Sequence, residues 1–391
     1  MAILSRIRKS RSLQIVPIIV ISICLLLVGC TRAPTSGWSG PVVSGDVLYV
    51  VSMTGDILEF DLSNITGSEP TPELLKKLTT STSGGLFSCG GSVSKPMSTY
   101  GVPAIGGGEE GGKLYVGGYD GRVYAIRIDD SSMNIFDTGE AIVGSPKIAG
   151  DLLFVGNSAG ELYALDLQLK EKWSEPFEAG GKIWATPEVH NGVVYIGSAD
   201  HNLYAVDIET GGEIWHFETQ GAVFSTPLIV NDTVYIGSCD SKFYAIDAVS
   251  GEMKWEFTGA SNWFWTQALF YQGEVWVGSL NHWLYVLNAD TGEKTGEFET
   301  GGMIQSPPVL IGGVIVVGSG ADKGEERGQL YKIDPEERTL VPLRSFEAPV
   351  LAPLWADSDR GLVYVHAQNG KHVLYAIRVE TGEELWSYQT N

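Results

Sequence analysis

Residues that could catalyse a reaction or hold a metal are scattered along the 391-residue chain. No serine, histidine and aspartate follow an order that places them in one pocket, and no cysteine or histidine cluster has the spacing of metal ligands. The glycine-rich runs do not lead from a strand into a helix, as a phosphate-binding loop does. His201 and His282 fall in equivalent turns of a repeat, too far apart to share a metal. The sequence therefore predicts no catalytic residue and no metal site.

Two acidic, glycine-rich segments are the remaining candidates for binding calcium. They are Gly106 to Gly112 (GGGEEGG) and Gly320 to Gly328 (GADKGEERG). Neither segment has the alternating carboxylate spacing of a calcium-binding loop. We therefore predict solvated turns at both places.

Aromatic residues between positions 262 and 285 are candidates for binding a partner or ligand. Trp263, Trp265 and Trp283 stand where other copies of the repeat have small, polar or aliphatic residues, which favours exposed side chains. Exposed tryptophans are typical of contact sites, whereas buried ones would belong to the core. Both interpretations remain open from the sequence.

A repeat of about 40 residues must position these side chains, and Ser225 to Phe257 is its clearest copy. Four short runs rich in β-branched and aromatic residues are separated by turn residues, and no stretch has helical periodicity. These runs are Leu228 to Val230, Val234 to Gly237, Phe243 to Ile246 and Met253 to Phe257. A lone four-stranded sheet cannot bury both of its apolar faces, so the copies are expected to pack face to face around an axis.

Two residues that recur once per repeat, here called marks, give independent counts of the copies. A proline that opens the first strand recurs, with Gln267 in one slot, at Pro41, Pro103, Pro146, Pro187, Pro227, Pro307 and Pro353. An apolar residue in the third strand recurs at Leu58, Tyr124, Tyr163, Tyr204, Tyr244, Tyr285, Tyr331 and Tyr375. Both marks occur eight times, so residues 40–391 are predicted to form an all-β, eight-bladed β-propeller of four-stranded antiparallel blades.

Three details of this propeller follow from the spacing. The first two marks lie 62 residues apart, so Asn64 to Ser98 is predicted to be an excursion outside the repeat. Long excursions are usually functional or disordered. The ring is expected to close by packing of blade 8 on blade 1, the alternative being that Trp386 to Gln389 pair with blade 1. Because the ring closes within one chain, a monomer is predicted.

The residue three positions before each proline mark is always apolar. These eight residues are Trp38, Tyr100, Val143, Trp184, Phe224, Phe264, Ile304 and Val350. Since the first strand is innermost, they are expected to form a ring near one mouth of the central channel. The ring is either a peptide-binding surface, with Trp184, Phe224 and Phe264 as its candidate residues, or packing between blades.

The amino-terminal residues are typical of a bacterial lipoprotein signal. Arg6, Arg8, Lys9 and Arg11 precede the mostly apolar segment Leu13 to Val28. Leu27-Val28-Gly29-Cys30 resembles a lipobox, which predicts a signal peptide over 1–29, a lipid on Cys30 and a tether over 30–39. The alternative is an uncleaved membrane anchor. Either way, the propeller is expected outside the cytoplasmic membrane.

The formal net charge of −21 excludes some partners. Removal of the basic amino-terminal segment would make the chain more acidic still. Such a body is not expected to bind nucleic acid or anionic lipid through its bulk surface.

The third and fourth strands carry a motif that resembles the tryptophan-docking motif of the quinoprotein, or PQQ-like, propeller superfamily. Its two clearest copies are Ala205-x-Asp207-x-x-Thr210-Gly211-x-x-x-Trp215 and Ala245-x-Asp247-x-x-Ser250-Gly251-x-x-x-Trp255. Blade 8 has Arg378 in place of the aspartate, and blade 6 has Gly296 in place of the tryptophan. The resemblance implies that certain tryptophans pack between neighbouring blades, namely Trp173, Trp215, Trp255 and Trp386.

Two branches of this superfamily have different functions. PQQ-dependent dehydrogenases use calcium, a catalytic aspartate and often an adjacent cysteine pair, whereas Cys30, Cys89 and Cys239 are not adjacent. A Cys89–Cys239 disulfide is not expected either, because those residues belong to opposite parts of the ring. The other branch contains lipid-anchored, cofactor-free, BamB-like propellers. This chain resembles that branch in its lipobox, its length and its number of blades.

The second resemblance implies a non-enzymatic scaffold without cofactor. Its partners would be envelope proteins, for instance a component of the β-barrel assembly machinery. It would be lipid-anchored on the periplasmic face of the outer membrane, or at the cell surface where there is a single membrane. Two alternatives remain: a PQQ-dependent, cofactor-binding dehydrogenase, or a surface lipoprotein that binds glycan or peptide through blade 6.

Overall fold

The computed structural model describes residues 39–52, 55–63, 65, 72–79, 98–106, 112–320, 327–369 and 371–390. These residues belong to one compact unit, Gly37–Asn391. All their regular elements are β-strands, which form eight four-stranded antiparallel sheets. The prediction of an all-β, eight-bladed propeller is therefore confirmed. The predicted signal peptide, Cys30 and Trp38 lie outside the described residues.

Each blade contains four consecutive strands, named A to D from the channel outwards. Blade 1 comprises β1 (Val42–Ser44), β2 (Val47–Val51), β3 (Asp56–Asp61) and β4 (Glu73–Thr79). Blade 2 comprises β5 (Ala104–Gly106), β6 (Lys113–Gly117), β7 (Arg122–Arg127) and β8 (Met133–Asp137). Blade 3 comprises β9 (Lys147–Ala149), β10 (Leu152–Gly156), β11 (Glu161–Asp166) and β12 (Phe177–Glu178). Blade 4 comprises β13 (Glu188–His190), β14 (Val193–Gly197), β15 (Asn202–Asp207) and β16 (Glu213–Glu218).

The second half of the ring repeats the same order. Blade 5 comprises β17 (Leu228–Val230), β18 (Thr233–Gly237), β19 (Phe243–Asp247) and β20 (Met253–Phe257). Blade 6 comprises β21 (Leu269–Tyr271), β22 (Glu274–Gly278), β23 (Trp283–Asn288) and β24 (Lys294–Glu299). Blade 7 comprises β25 (Val309–Ile311), β26 (Val314–Ser319), β27 (Gly328–Asp334) and β28 (Thr339–Phe346). Blade 8 comprises β29 (Trp355–Asp357), β30 (Leu362–Asn369), β31 (Lys371–Arg378) and β32 (Glu384–Gln389).

The burial of the strands follows from their place in the blade. In blade 4, strands β14 and β15 are nearly continuous buried runs, because neighbouring blades cover both faces of the sheet. Strand β16 alternates between exposed and partly buried residues, because it is the outermost strand. The core therefore lies between blades, in clusters that each combine residues of two neighbouring sheets.

Two sequence-based expectations about blade boundaries were wrong. The segment Glu73–Thr79, assigned to the excursion, pairs with β3 as strand D of blade 1. The residues that directly precede strands β21, β25 and β29 are Ala268, Pro308 and Leu354, so the marks at Gln267, Pro307 and Pro353 lie one residue early. The rest of the excursion, residues 80–97, lies outside the described part.

Six junctions between blades share one packing device. The B strand of one blade has a glycine as its last or, in blade 7, its penultimate residue, here called a socket glycine. This glycine contacts an aliphatic or aromatic residue that precedes strand A of the next blade, here called a knob residue. The pairs are Gly117 with Ile142, Gly156 with Ile183, Gly197 with Val223, Gly237 with Phe264, Gly278 with Ile304 and Gly318 with Val350. A Cβ on any socket glycine would lie 2.1 to 2.5 Å from the knob side chain, far inside contact distance. The backbone N–H of each knob residue also donates to the carbonyl that follows the socket glycine, at 2.9 to 3.5 Å.

The tryptophan-docking motif forms the outer part of three junctions. The indole Nε1 atoms of Trp173, Trp215 and Trp255 donate to backbone carbonyls of the following blade, at 3.0, 3.2 and 2.9 Å. Each indole covers a glycine of that blade, where a Cβ would lie 2.6 to 2.8 Å from the ring. These glycines also have a positive φ of 72 to 74°, which a residue with a side chain rarely adopts; they are Gly211, Gly251 and Gly292. The motif glycine therefore provides both the turn and the docking surface.

The junction between blades 6 and 7 lacks this tryptophan and is packed differently. Gly296 occupies the motif position, while Trp276 of strand β22 is fully buried and stacks on Phe298 at 5.7 Å. The guanidinium of Arg338 lies 5.2 Å from the centroid of the Trp276 ring and pairs with Glu274 at 2.6 Å. An indole from strand B and a cation from the next blade thus fill the space of the missing indole.

The ring closes by packing of two complete blades. Strand β32 pairs with β31, so the alternative that Trp386 to Gln389 pair with blade 1 is wrong. Trp386 lies 6.0 Å from Phe60 of blade 1, and no described residue accepts a hydrogen bond from its buried Nε1. The buried His366 completes the closure, with Nδ1 at 2.8 Å from the Ser39 carbonyl and Nε2 at 3.1 Å from Thr390 Oγ1.

The socket packing predicts a specific double-mutant result. Gly117→Ala would bring a Cβ to 2.5 Å from Ile142 Cγ2, and overpacking of this kind lowers the free energy of unfolding by about 1–3 kcal/mol. Ile142→Ala alone should cost about 2–5 kcal/mol. The double variant lacks the clash, so urea denaturation should give a coupling energy of at least about 1 kcal/mol. Gly296→Ala is the control, because its Cβ would meet nothing closer than 3.6 Å. A Gly117→Ala protein as stable as this control would contradict the socket role.

The docking tryptophans should be structural. Trp255→Ala is expected to lower the free energy of unfolding by about 3–5 kcal/mol, because it empties a buried indole site. Trp255→Phe keeps a ring but loses the donor to Ala289, so a smaller loss is expected. Trp263→Ala, at a residue 43 % exposed, should change stability by no more than about 0.5 kcal/mol. Equal losses in Trp255→Ala and Trp263→Ala would rule out the docking role.

Candidate functional site

The candidate site is the mouth of the central channel on the face that carries the D–A connections and the B–C turns. It is a depression of about 630 Å³, including the part open to solvent, lined by residues of blades 2 to 8. Blades 3 to 8 each contribute the residue directly after the knob residue. Blade 2 has no knob residue, and it contributes the residue at the equivalent position. These mouth residues are Tyr100, Val143, Trp184, Phe224, Trp265, Gln305 and Leu351.

Three of the mouth residues form an aromatic half-ring across blades 4, 5 and 6. The ring of Trp184 stacks on Phe224 with centroids 4.9 Å apart and an interplanar angle of 26°, and Phe224 lies 5.0 Å from Trp265. Trp184 Nε1 donates to Ser158 Oγ at 3.1 Å, and Lys182 Nζ lies 5.1 Å from its ring centroid. Aromatic pairs in such arrangements stabilise one another by about 0.5–1.5 kcal/mol beyond the area they bury. The half-ring is therefore held in place before any partner binds.

A row of hydroxyl groups lies beneath the half-ring. The Oγ atoms belong to Ser145, Thr186 and Thr226, each directly before the proline of its blade. The backbone N–H of Val102 donates to Ser145 Oγ at 2.8 Å, that of Ser145 to Thr186 Oγ1 at 3.0 Å, and that of Thr186 to Thr226 Oγ1 at 3.3 Å. Because each oxygen accepts a fixed backbone donor, its own proton points elsewhere. No described residue accepts a hydrogen bond from any of the three hydroxyls.

The mouth carries no charge although the chain is strongly acidic. None of the described residues that line it is Asp, Glu, Lys, Arg or His, in a chain with a net charge of −21. Burial, and secondarily the neighbouring Tyr119, raises the pKa of Tyr100, so its phenol stays protonated at neutral pH. The lining can thus bind an uncharged group by contact and hydrogen bonding.

The structure brings together some of the predicted binding residues and separates others. Trp184, Phe224 and Trp265 meet at the mouth. Trp263 lies two residues away in the chain, 43 % exposed, and its carbonyl accepts from Leu280 N at 2.9 Å. Trp283 begins strand β23 and packs, partly buried, on the core between blades 5 and 6, away from the mouth.

Phe264 was wrongly included among the candidate contact residues. It is 0 % exposed and is the knob residue of blade 6, as Ile304 and Val350 are in blades 7 and 8. The error follows from the marks at Gln267, Pro307 and Pro353, which shift the count by one residue. In an extended segment successive side chains point to opposite sides, so this shift exchanged buried knobs for exposed mouth residues.

Sequence reasoning missed Gln305, Leu351 and the hydroxyl row. Gln305 and Leu351 were hidden by the same shift of register. The hydroxyl row has a sequence signal, because Ser145-Pro146, Thr186-Pro187 and Thr226-Pro227 repeat a hydroxyl residue before the opening proline.

A second cavity lies between blades 7 and 8, on the opposite face. It measures about 930 Å³ including open space, and Lys332, Arg360 and Arg378 are among its lining residues. Each cation already has a partner: Lys332 Nζ donates to the carbonyl of Glu380 at 3.1 Å, Arg360 pairs with Asp357 at 3.0 Å, and Arg378 lies 3.7 Å from Glu383. The mouth is the better candidate because its polar groups are not engaged in this way.

The remaining predicted features are distributed as follows. His201 and His282 lie in B–C turns with φ of 80° and 77°, a left-handed conformation that histidine tolerates better than branched residues. Most of the two acidic loops, residues 107–111 and 321–326, and Cys89 lie outside the described residues. Cys239 is a free thiol, and burial, followed by the charge of Asp240, raises its pKa to about 11.

The described residues contain no group of three or more His, Cys, Asp or Glu side chains arranged to hold a metal ion. No described segment forms the long apolar helix that crossing a bilayer requires.

The mouth does not fit PQQ, the cofactor of the dehydrogenase branch. PQQ is a tricarboxylate quinone that is bound with calcium, so its site needs cationic donors and carboxylate ligands. The described residues that line the mouth provide neither. The half-ring and the hydroxyl row suit an uncharged ligand instead.

Comparison with solved structures shows similarity of fold. The computationally designed Ika8 protein matches with a TM-score of 0.67 and 15 % identity, over 88 % of this chain and 96 % of the other. BamB from Moraxella catarrhalis matches with a TM-score of 0.63 and 16 % identity, over 84 % of this chain and 93 % of the other. A chain in the mitotic checkpoint complex matches with a TM-score of 0.54 and 14 % identity, over 65 % and 81 %.

Comparison by sequence identifies the family. A search among curated proteins found no match. The sequence profile of a PQQ-like repeat family, described as outer membrane protein assembly factor BamB, matches residues 170–269 and 280–391. These segments make up more than half of the chain and cover the blades in which the docking motif is clearest. The chain therefore belongs to this BamB family of PQQ-like β-propellers.

Proposed function

We propose that the protein is a lipid-anchored scaffold of the cell envelope, which binds other envelope proteins at the mouth of its propeller and catalyses no reaction. The observation that carries the proposal is the uncharged mouth with its aromatic half-ring of Trp184, Phe224 and Trp265. Aromatic residues are enriched in the energetically dominant parts of protein interfaces. A rigid half-ring also reduces the side-chain entropy that is lost on binding.

Family membership supports the same proposal. The family's description places such proteins in outer membrane protein assembly. A propeller of this kind offers a large, stiff frame, because its junctions are locked by knob residues and docking tryptophans. An envelope assembly component, for instance one of the β-barrel assembly machinery, is therefore the proposed partner.

The described start of the chain supports an anchor on the mouth side. Ser39 Oγ donates to the carbonyl of Gly101, which itself lines the mouth, at 3.0 Å. A lipid on Cys30 would be joined to this point by nine residues, which span at most about 30 Å. The mouth would then lie within reach of proteins at the membrane surface.

Photo-crosslinking in cells tests the contact surface. A benzophenone-bearing amino acid in place of Leu351, at the mouth, should form an adduct with a specific envelope protein. Trp263→Ala together with Trp265→Ala should reduce this adduct at least fivefold. The melting temperature should change little, because Trp263 is 43 % exposed and Trp265 loses one ring contact worth about 1 kcal/mol.

The control is the same amino acid at Val249, which is 76 % exposed in the C–D turn of blade 5 on the opposite face. Any adduct formed there should not respond to the tryptophan substitutions. An unchanged adduct at Leu351 would exclude the half-ring as the contact surface. A collapse of the melting temperature would assign both tryptophans to the core.

Lipidation has its own test. Cys30→Ser should abolish incorporation of labelled fatty acid and release the protein from the membrane fraction, because a buried acyl chain supplies the membrane affinity. Cys239→Ser, which changes a thiol within blade 5, should leave both unchanged. A Cys30→Ser protein that stays in the membrane after alkaline extraction would favour an uncleaved anchor instead.

A further inference from the structure

We infer that the mouth holds a neutral, extended loop of the partner protein, with an apolar side chain against the aromatic half-ring and main-chain carbonyls on the hydroxyl row. This inference rests on the proposed function and specifies the chemistry of the partner. The polar groups, the charge and the ring geometry of the mouth each support it.

The available polar groups at the mouth are mainly donors. The hydroxyls of Ser145, Thr186 and Thr226 accept backbone N–H groups, so their protons remain to be donated. The indole N–H of Trp265 also has no acceptor among the described residues, and indole nitrogen is only a donor. A ligand that presents several acceptors in a row satisfies these groups. An extended peptide does so through its carbonyl oxygens.

The charge of the mouth requires these acceptors to be neutral. A carboxylate or phosphate ligand would leave water for a lining that contains no charged residue, in a chain with a net charge of −21. The nearby Lys182 ammonium lies over the ring of Trp184, 5.1 Å from its centroid. An unpaired anion transferred in this way is strongly disfavoured. The carbonyl oxygen of a peptide carries no net charge and is therefore complementary to the site.

The arrangement of the rings distinguishes a peptide from a sugar. Sugar rings are bound mainly by stacking on exposed aromatic faces. Here Trp184 and Phe224 stack on each other at 26°, and Lys182 lies over the ring of Trp184. Edges and small apolar surfaces are left for the ligand, which suits a branched aliphatic side chain better than a flat sugar.

Titration of the full chain in phosphatidylcholine vesicles tests the inference, with tryptophan fluorescence as the readout. The first probe is a neutral octapeptide, acetylated and amidated at its ends, that consists of glycine, serine and threonine around a central Leu-Val pair. The second is the same peptide with a glutamate on each side of that pair, and the third is maltotetraose. The neutral peptide should bind saturably, and the glutamate peptide at least tenfold more weakly. Maltotetraose should not bind.

Two pairs of substitutions isolate the hydroxyl row. Thr186→Val with Thr226→Val removes two donors at nearly constant volume, and with them the acceptors of the Ser145 and Thr186 N–H groups. It should weaken binding of the neutral peptide at least tenfold. Thr186→Ser with Thr226→Ser keeps the hydroxyls and should bind within threefold of the unaltered protein. Thr295→Val, in the outer strand of blade 6, is the control. Melting temperatures show whether each variant is folded, and Trp265→Ala provides a second test at the half-ring if the valine variant is not.

The outcomes separate this inference from the proposed function. Equal binding by the valine variant, preference for the glutamate peptide, or binding of maltotetraose alone would overturn the neutral-loop assignment. Loss of peptide binding in every form, with the Leu351 adduct intact, would leave the scaffold proposal standing and reject this inference. Peptide binding without any adduct in cells would reject the proposed function instead.

Discussion

The absence of a Cβ atom at a glycine near the end of six B strands is the constraint on which most of the ring depends. At six junctions the socket glycine leaves room for one knob residue of the next blade, and a Cβ there would lie within 2.5 Å of it. Interiors at this density do not absorb an added methyl group without strain. The knob is in turn tied by its backbone N–H to the preceding blade. Side-chain volume and hydrogen bonding therefore set the same angle between successive sheets.

The site is a geometrical consequence of this packing. When Ile183 or Val223 is buried in its socket, the following residue of the extended segment must point to the other side, into the channel. Trp184 and Phe224 are placed at the mouth in this way. A proline, Pro187 or Pro227, directly precedes strand A. The threonine before it, Thr186 or Thr226, contributes a hydroxyl to the row. Knob, mouth residue and hydroxyl are thus three positions of one short segment in blades 3 to 5, whereas Gln267, Pro307 and Pro353 stand at the hydroxyl position in blades 6 to 8.

Most of the fold could be predicted because repetition compensates for weak local signals. Eight third-strand marks and the turn residues defined the blades, although single boundaries such as Glu73–Thr79 were misplaced. The site was predicted less well, because each mouth residue directly follows a buried knob residue in the chain. The mark at Gln267 lay one residue early and made the buried Phe264 a candidate, and the same shift at Pro307 and Pro353 hid Gln305 and Leu351. The sequence shows that an apolar residue recurs in this segment of every blade. Which of two adjacent apolar residues is buried as the knob depends on the position of the socket glycine in the neighbouring blade.

The tryptophans show how one residue type acquires two roles in this chain. Trp173, Trp215 and Trp255 have their Nε1 donors engaged by carbonyls of the next blade and their rings against motif glycines, so they have little left to offer a partner. Trp263 and Trp265 lie outside the docking motif, and their indole donors have no partner among the described residues. Among the described residues of the mouth, aromatic rings come from blades 2, 4, 5 and 6, whereas Val143, Gln305 and Leu351 stand there in blades 3, 7 and 8. The repeated frame therefore presents different side chains around the described part of the mouth, and these differences would orient the proposed partner loop.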